Sequence, residues 1–435
     1  MVPSSRMIWS VAVVGFPAAM LAALAPETRA AAVVCLIVLA TVITLDAFMR
    51  MRGMAGIRVE LPELVRLFKD RTGDVRVKIY NPSKAAVRLR VGIVVPEGIG
   101  AESEETDVEL PEGSETSEFV LEWTAHRRGL YRVNTVYLEA ASPWGMWQAR
   151  RADAVTMEVQ AYPNLRRQED LKALRMGVAG PHSMRQIGRG REFEKLREYL
   201  PGDALDEIHW KATARRGKPI TKVFQVERTQ EVYVVIDASR LSARPAGEET
   251  ALERSIAAGL ILGAAAEKRG DLFGLAAFSD QMEAFVRARN GKAHYAACRD
   301  AIYQLHPKAV TPDFDEIATF LRLQLRRRAL LVFLTSLDDP VLAENFQRAV
   351  RLLARRHVVV AGMLRPASAR PLFEGEVETV EDIYRDLAGH IAWRRLKELE
   401  GLLARAGVRL SVIDPGNFSS AVVGIYDSVK QRQLL

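Results

Sequence analysis

Two stretches near the N-terminus constrain this 435-residue chain more than any other feature. Ile8 to Ala25 holds no charged residue, and neither does Ala30 to Leu45. Between them lies Pro26-Glu27-Thr28-Arg29. A helix over the first run spans about 27 Å at 1.5 Å per residue, close to the hydrocarbon thickness of a bilayer. The second run reaches a similar length when continued through Asp46 to Met49. Lipid offers the backbone no hydrogen-bond partners, so both runs read as helices and residues 1–56 as a transmembrane hairpin, with spans at about 8–25 and 30–49. Arg6 precedes the first span, while Arg50, Arg52 and Arg58 follow the second. Basic flanks face the cytoplasm, which puts the body of the chain on that side and the turn outside. The alternative is a cleaved signal peptide with an exported body. Its apolar region would be unusually long, and a second apolar run follows at once.

The remainder is too long for one ordinary domain. Charged residues make up 26 % of the chain and the formal net charge is +7, which permits contact with anionic lipid or nucleic acid and demands neither. Cys35 and Cys298 are the only cysteines, so no disulfide framework is legible and a reducing compartment fits better.

Residues 57–165 alternate apolar and polar in Val75–Tyr80, Val87–Val91 and Tyr131–Tyr137. A period of two marks half-buried strands, and turn clusters such as Asn81-Pro82-Ser83 and Pro111-Glu112-Gly113 punctuate them. A small β-sandwich is expected, with the acidic stretch Glu102–Glu118 as a solvated loop and strand edge. Residues 166–230 read as a linker with a short helix, followed by a charged aromatic segment. From 231 to 435, strands alternate with helices. Val232–Ile236, Leu272–Phe278, Leu330–Leu334, Val358–Met363 and Val408–Ile413 are the strands, and the helices lie at 248–268, 293–305, 312–326, 340–354 and 383–406. Asp339-Pro340 supplies an N-cap and a proline at the first helical position. This alternation predicts an α/β doubly wound domain. The fold class is therefore multidomain: hairpin, β-sandwich and doubly wound domain.

The segment Gly188–Glu227 is the most distinctive in the chain. Glu192, Leu196 and Tyr199 have helical spacing, which predicts a short helix ending at Pro201-Gly202. Gly188, Gly190, Glu192, Phe193, Leu196, Arg197, Tyr199, Gly202 and Asp203, followed by Ile208-His209-Trp210-Lys211-Ala212-Thr213-Ala214-Arg215, resemble the signature of the bacterial family called domain of unknown function fifty-eight. Asp206 stands where that family usually has Arg. The resemblance extends to Arg128-Gly129-x-Tyr131 and to Ser142-Pro143-Trp144-Gly145-Met146-Trp147, with Ser142 in place of the family's Asp. It implies paired membrane helices in the inner membrane, a von Willebrand factor A-like C-terminal domain, and association with MoxR-type AAA+ ATPases. No chemical reaction is implied.

Three readings of the signature are open, the third being acid–base catalysis. Its charges and rings seal two domains through buried pairs such as Arg197–Asp203 or Arg215–Glu192, or Glu192, Arg197, Tyr199, Asp203, His209, Trp210, Lys211 and Arg215 form a docking surface for a partner. Burying a lone charge is costly, which favours pairing in the first case.

The implied A-like fold carries a metal site of D-x-S-x-S type, where hard oxygen ligands converge on Mg2+. Here Asp237 and Ser239 match, and Leu241 does not. Thr311 is the candidate later ligand, or a plain helix N-cap before Pro312. Ser336 falls where a late Asp is usual, leaving a partial Mg2+ site or a metal-free hydrogen-bonded crevice. His294 and Cys298, four apart, read as packing rather than a nucleophile with its base. Gly188-Arg189-Gly190 lacks the ending of a P-loop, and the basic clusters Arg326–Arg328 and Arg355–His357 read as helix ends rather than a nucleic-acid site. The expected function is a membrane-anchored, non-catalytic scaffold or adaptor for a cytoplasmic AAA+ ATPase. The alternative is an enzyme of cell-envelope metabolism using Asp203, His209 or Lys211 as acid or base.

Overall fold

The computed structural model describes residues 2–24, 26–53, 56–165, 170, 172–173, 187–188, 192–200, 208–225, 230–372 and 379–432. The chain divides into two compact units, Met1–Asn164 and Leu165–Leu435.

In the first unit, helices over Ser5–Leu24 and Pro26–Met49 are long and apolar enough to cross a membrane. Ile8, Trp9, Phe16, Leu24, Val34 and Ile37 all point outward, leaving apolar surface that a soluble core helix would bury. The two helices meet at Gly15, where a Cβ would lie 3.3 Å from Leu39 Cδ2, so a small residue allows close approach.

The rest of this unit is a β-sandwich. One sheet contains Trp147–Tyr162, Gly129–Ala141, Val87–Ile93 and Glu105–Leu110 in that order, with Leu64–Phe68 parallel to the end of the first. The other runs Arg58–Glu60, Thr72–Tyr80, Thr116–Ala125, Ile99–Ala101. Val75, Val77 and Ile79 are fully buried while Arg76 and Lys78 face out, as the period of two requires. Trp123 fills the space between the sheets. The acidic stretch is more regular than its charge suggests. Its strand Glu105–Leu110 pairs with Val87–Ile93, where Arg88 faces Glu109 and Arg90 faces Asp107. Cross-strand opposite charges neutralise an edge whose acidity reads as loop in sequence.

The second unit is built on a six-stranded sheet. Its order is Met282–Arg289, Leu272–Phe278, Glu231–Asp237, Ala329–Leu334, Val358–Leu364, Arg409–Ile413. All pairs are parallel except the first. One face is covered by Phe314–Gln324, Pro340–Ala354 and Val380–Arg405, the other by Ala251–Lys268, Lys292–Ile302 and Phe418–Gln431. The central strands are buried on both faces and read as unbroken apolar runs for that reason. Asp339 caps its helix as its sequence requires, accepting from Val341 N at 2.9 Å.

Three departures from the sequence reading stand out. The antiparallel edge strand Met282–Arg289 and the C-terminal helix Phe418–Gln431 are additional. The edge strand depends on Gly274. A Cβ there would lie 2.3 Å from the Tyr233 ring, and without one the Tyr233 hydroxyl accepts the Ala288 N–H at 3.0 Å. The third departure is Glu192–Glu198, a strand and not a helix, paired antiparallel with Ile220–Gln225. Its helical spacing is overridden by pairing with a partner rich in β-branched residues.

Candidate functional site

Strand order reverses at Glu231–Asp237: the chain builds outward on one side to Leu272–Phe278, then crosses to Ala329–Leu334 on the other. Open parallel sheets bind ligands at such a switch point, beyond the carboxyl ends of the strands. Asp237 ends the central strand there. Its carboxylate accepts Ser239 N–H at 2.8 Å and the Thr335 hydroxyl at 2.5 Å. Burial pushes its pKa above the usual carboxylate range, against the lowering effect of these donors. The crevice around it is lined by Asp237, Ser242, Ser255, Thr335, Ser336 and Phe418, among others. The free space within it is about 10 Å3, room for about one water and too little for a metabolite.

The expected metal ligands are only partly brought together. Ser239 is fully buried, and its hydroxyl makes no well-formed hydrogen bond among the described residues. Leu241 is buried and apolar. Thr311 is exposed and is not among the residues lining the crevice. Nor is Thr311 the N-cap: Asp313 takes that role, accepting from Asp315 N and Glu316 N. A carboxylate binds two backbone donors there more strongly than a hydroxyl would. Thr335 rather than Ser336 bonds Asp237, a contact that follows from strand register and has no motif of its own. Of the expected oxygen donors, Asp237 and Ser239 therefore sit together at the strand end, while Leu241 offers none from its side chain and Thr311 lies away from the crevice lining.

His294 and Cys298 do share a helix face, with Nε2 3.5 Å from Sγ. The ring nitrogen also faces the Phe273 carbonyl at 2.7 Å, and burial pushes the thiol pKa up to about 12. Cys298 is fully buried in the helix packing, a setting that disfavours the thiolate.

In the signature, Asp203 lies outside the described residues, as do 166–169 and 174–186 of the expected linker. Glu192 opens the strand Glu192–Glu198, and within that strand Arg197 is half-buried and donates to the Glu198 carbonyl at 3.1 Å. Tyr199 N–H donates to Pro219 O. His209 caps the helix Trp210–Arg216: its Nδ1 accepts Ala212 N–H at 3.0 Å, which occupies that nitrogen as a cap. Gly217 ends the helix in the left-handed region at φ 66°. Trp210 is 69 % exposed, and Lys211, Arg215, Arg216 and Lys218 are exposed around it. Arg215 is therefore not half of a buried ion pair.

A residue outside every candidate set also stands out. Asp46, near the end of the second apolar helix, is fully buried. It accepts hydrogen bonds from the Ser142 hydroxyl, Trp144 N and Met146 N, and the Trp147 indole donates to Ile43 O at 3.0 Å. The loop 142–147 of the sandwich is thus tied to the helix. Ser142, the departure from the family pattern, is a donor to this carboxylate. The only sequence signal was an acid at the edge of an apolar run.

A family model described as "Protein of unknown function DUF58" matches residues 195–384. Uncharacterised proteins of Mycobacterium tuberculosis and Mycobacterium bovis are each 28 % identical to this chain over 181 residues, 40 % of this chain. The chain spans 55 % of the length of these curated relatives, about half. Among solved structures, a protein of unknown function from Porphyromonas gingivalis covers 25 % of this chain and 48 % of its own, with 20 % identity and a TM-score of 0.18. Proximal thread matrix protein 1 from the mussel byssus covers 45 % of each chain, with 13 % identity and a TM-score of 0.26. At these scores neither likeness assigns a fold.

Proposed function

We propose that this protein is a membrane-tethered, non-catalytic adaptor of a bacterial inner membrane. Its body is cytoplasmic and its C-terminal domain is von Willebrand factor A-like. The observation that carries this reading is the exposed helix Trp210–Arg216. A large ring left 69 % exposed among cations has the composition of an interface anchor, since Trp and Arg dominate binding hot spots. The contacts of Ser4 with Gly145 and Met146, together with those of Asp46, support a retained anchor, because removal of either helix would leave groups of the 142–147 loop without their partners.

The partner favoured by the family resemblance is a hexameric MoxR-type AAA+ ATPase. In-cell photo-cross-linking from an unnatural amino acid at position 210 tests this. The expected product is a covalent adduct with an ATPase subunit. Adducts with lipid alone, or none above a probe at exposed Arg216, would overturn it.

A further inference from the structure

The helix Val380–Arg405 carries two apolar stripes on opposite sides. It is firmly started: Thr379 and Asp382 form a reciprocal capping box. From its middle onward it seats on the body through Gly389, Leu396 and Leu403, all buried. Gly389 is held close, since a Cβ there would meet the Ser368 carbonyl at 3.1 Å. At about 100° per residue, Val380, Ile383, Tyr384, Leu387 and Ile391 fall on the opposite side of the cylinder. These five are 47–70 % exposed. Toward the body this half of the helix turns polar groups instead, with Asp386 4.0 Å from Arg370. The outward stripe is therefore not a displaced core face. Its residues recur at the helical spacing of a helix–helix seam.

We infer that this stripe joins two copies of the chain as an antiparallel helix pair. A two-fold axis between positions 385 and 386 sets Val380 opposite Ile391 of the second copy, and Tyr384 opposite its Leu387. Every layer of the seam is then apolar, as an isologous contact requires. Charge fixes the direction. Asp382 is held by the capping box and Arg385, and Arg394 by Glu398, which leaves Glu381 beside the start of the stripe and Arg395 beside its far end. Antiparallel pairing brings Glu381 of one helix within about two turns of Arg395 of the other, whereas parallel pairing sets like beside like. The seam is short, so the association is at the weak end for protein interfaces.

The test uses the full chain in detergent, with Cys35→Ser to remove the accessible thiol and a spin label at Glu398→Cys. At ~100 µM protomer, electron–electron distance measurement should give a peak at roughly 40 Å, from the rise per residue and a helix separation of about 10 Å. Leu387→Glu should abolish that peak and leave the melting temperature unchanged, because the side chain is on the surface. Three outcomes would overturn the inference: no peak at this concentration, a peak at about 10–15 Å from parallel helices, or a peak that survives Leu387→Glu. A label at position 387 relaxed by lipid-soluble oxygen, with no inter-label peak, identifies the membrane as the occupant and also overturns it.

Discussion

Asp271 holds the C-terminal helix to the rest of its unit, and removing it should be costly. It is 2 % exposed and accepts Gln230 N–H at 3.2 Å, the Tyr426 hydroxyl at 2.5 Å and Lys430 Nζ at 2.7 Å. Tyr426 is itself fully buried, with Arg269 over its ring at 5.2 Å. In Asp271→Ala the Lys430 ammonium, one-quarter exposed, turns to water and loses little. The Gln230 N–H and the Tyr426 hydroxyl are left in place without their acceptor, at about 1–3 kcal/mol each. The expected loss is therefore about 4 kcal/mol, or a fall of roughly 8 °C in melting temperature for a unit of this size. Tyr426→Phe removes one donor and leaves Asp271 with two, so it should cost only about 1 kcal/mol. Differential scanning calorimetry of the full chain in detergent reads both, with the C-terminal unit as its own transition. A fall below ~2 °C for Asp271→Ala, or equal falls for the two variants, would refute the reasoning.

Other consequences concern the sites and the topology. Burial raises the Asp237 pKa, so its ionised form costs stability; the favourable contribution exists at low pH and is lost as pH rises through the raised value. Asp237→Asn should therefore melt higher than wild type at neutral pH, with the gap closing on acidification, and a pH-independent gap would count against this. Calorimetric titration of millimolar Mg2+ into the full chain should give no heat beyond dilution; saturable heat lost in Asp237→Ala would restore the metal reading. With its thiol pushed up to about 12, Cys298 should resist a disulfide reagent at pH 8 in a Cys35→Ser background, and prompt labelling of the native protein would contradict its packing. Alkaline phosphatase fused after Leu435 should be inactive in an exporting host, whereas clear activity would reverse the orientation.

The legible parts of the sequence are those where one local signal dominates. Uncharged runs gave the hairpin, alternation gave Thr72–Tyr80, and unbroken apolar runs gave the buried strands. Asp339-Pro340 located its helix start because capping chemistry is local. The C-terminal helix was hidden since Ser, Val, Gly and Tyr are weak helix formers. It is held by burial of Val422, Val423 and Tyr426. The segment Glu192–Glu198 has helical apolar spacing, yet its conformation is set by a strand partner more than twenty residues away. At the crevice, Asp237 and Ser239 were visible in a motif, while Thr335 reaches Asp237 only through strand order, which no window of sequence contains. Asp46 was invisible in the same way, its partners lying about a hundred residues on.

The most direct test of the adaptor reading is native affinity purification of the full chain from detergent-solubilised membranes, with nucleotide present and mass-spectrometric readout. Trp210→Ala/Arg215→Glu serves as the comparison, since both positions are exposed and the fold should tolerate them. The adaptor account predicts a MoxR-type AAA+ ATPase with the wild type and its loss with the variant. Recovery of no ATPase from either, under conditions that keep the protein folded, would contradict it.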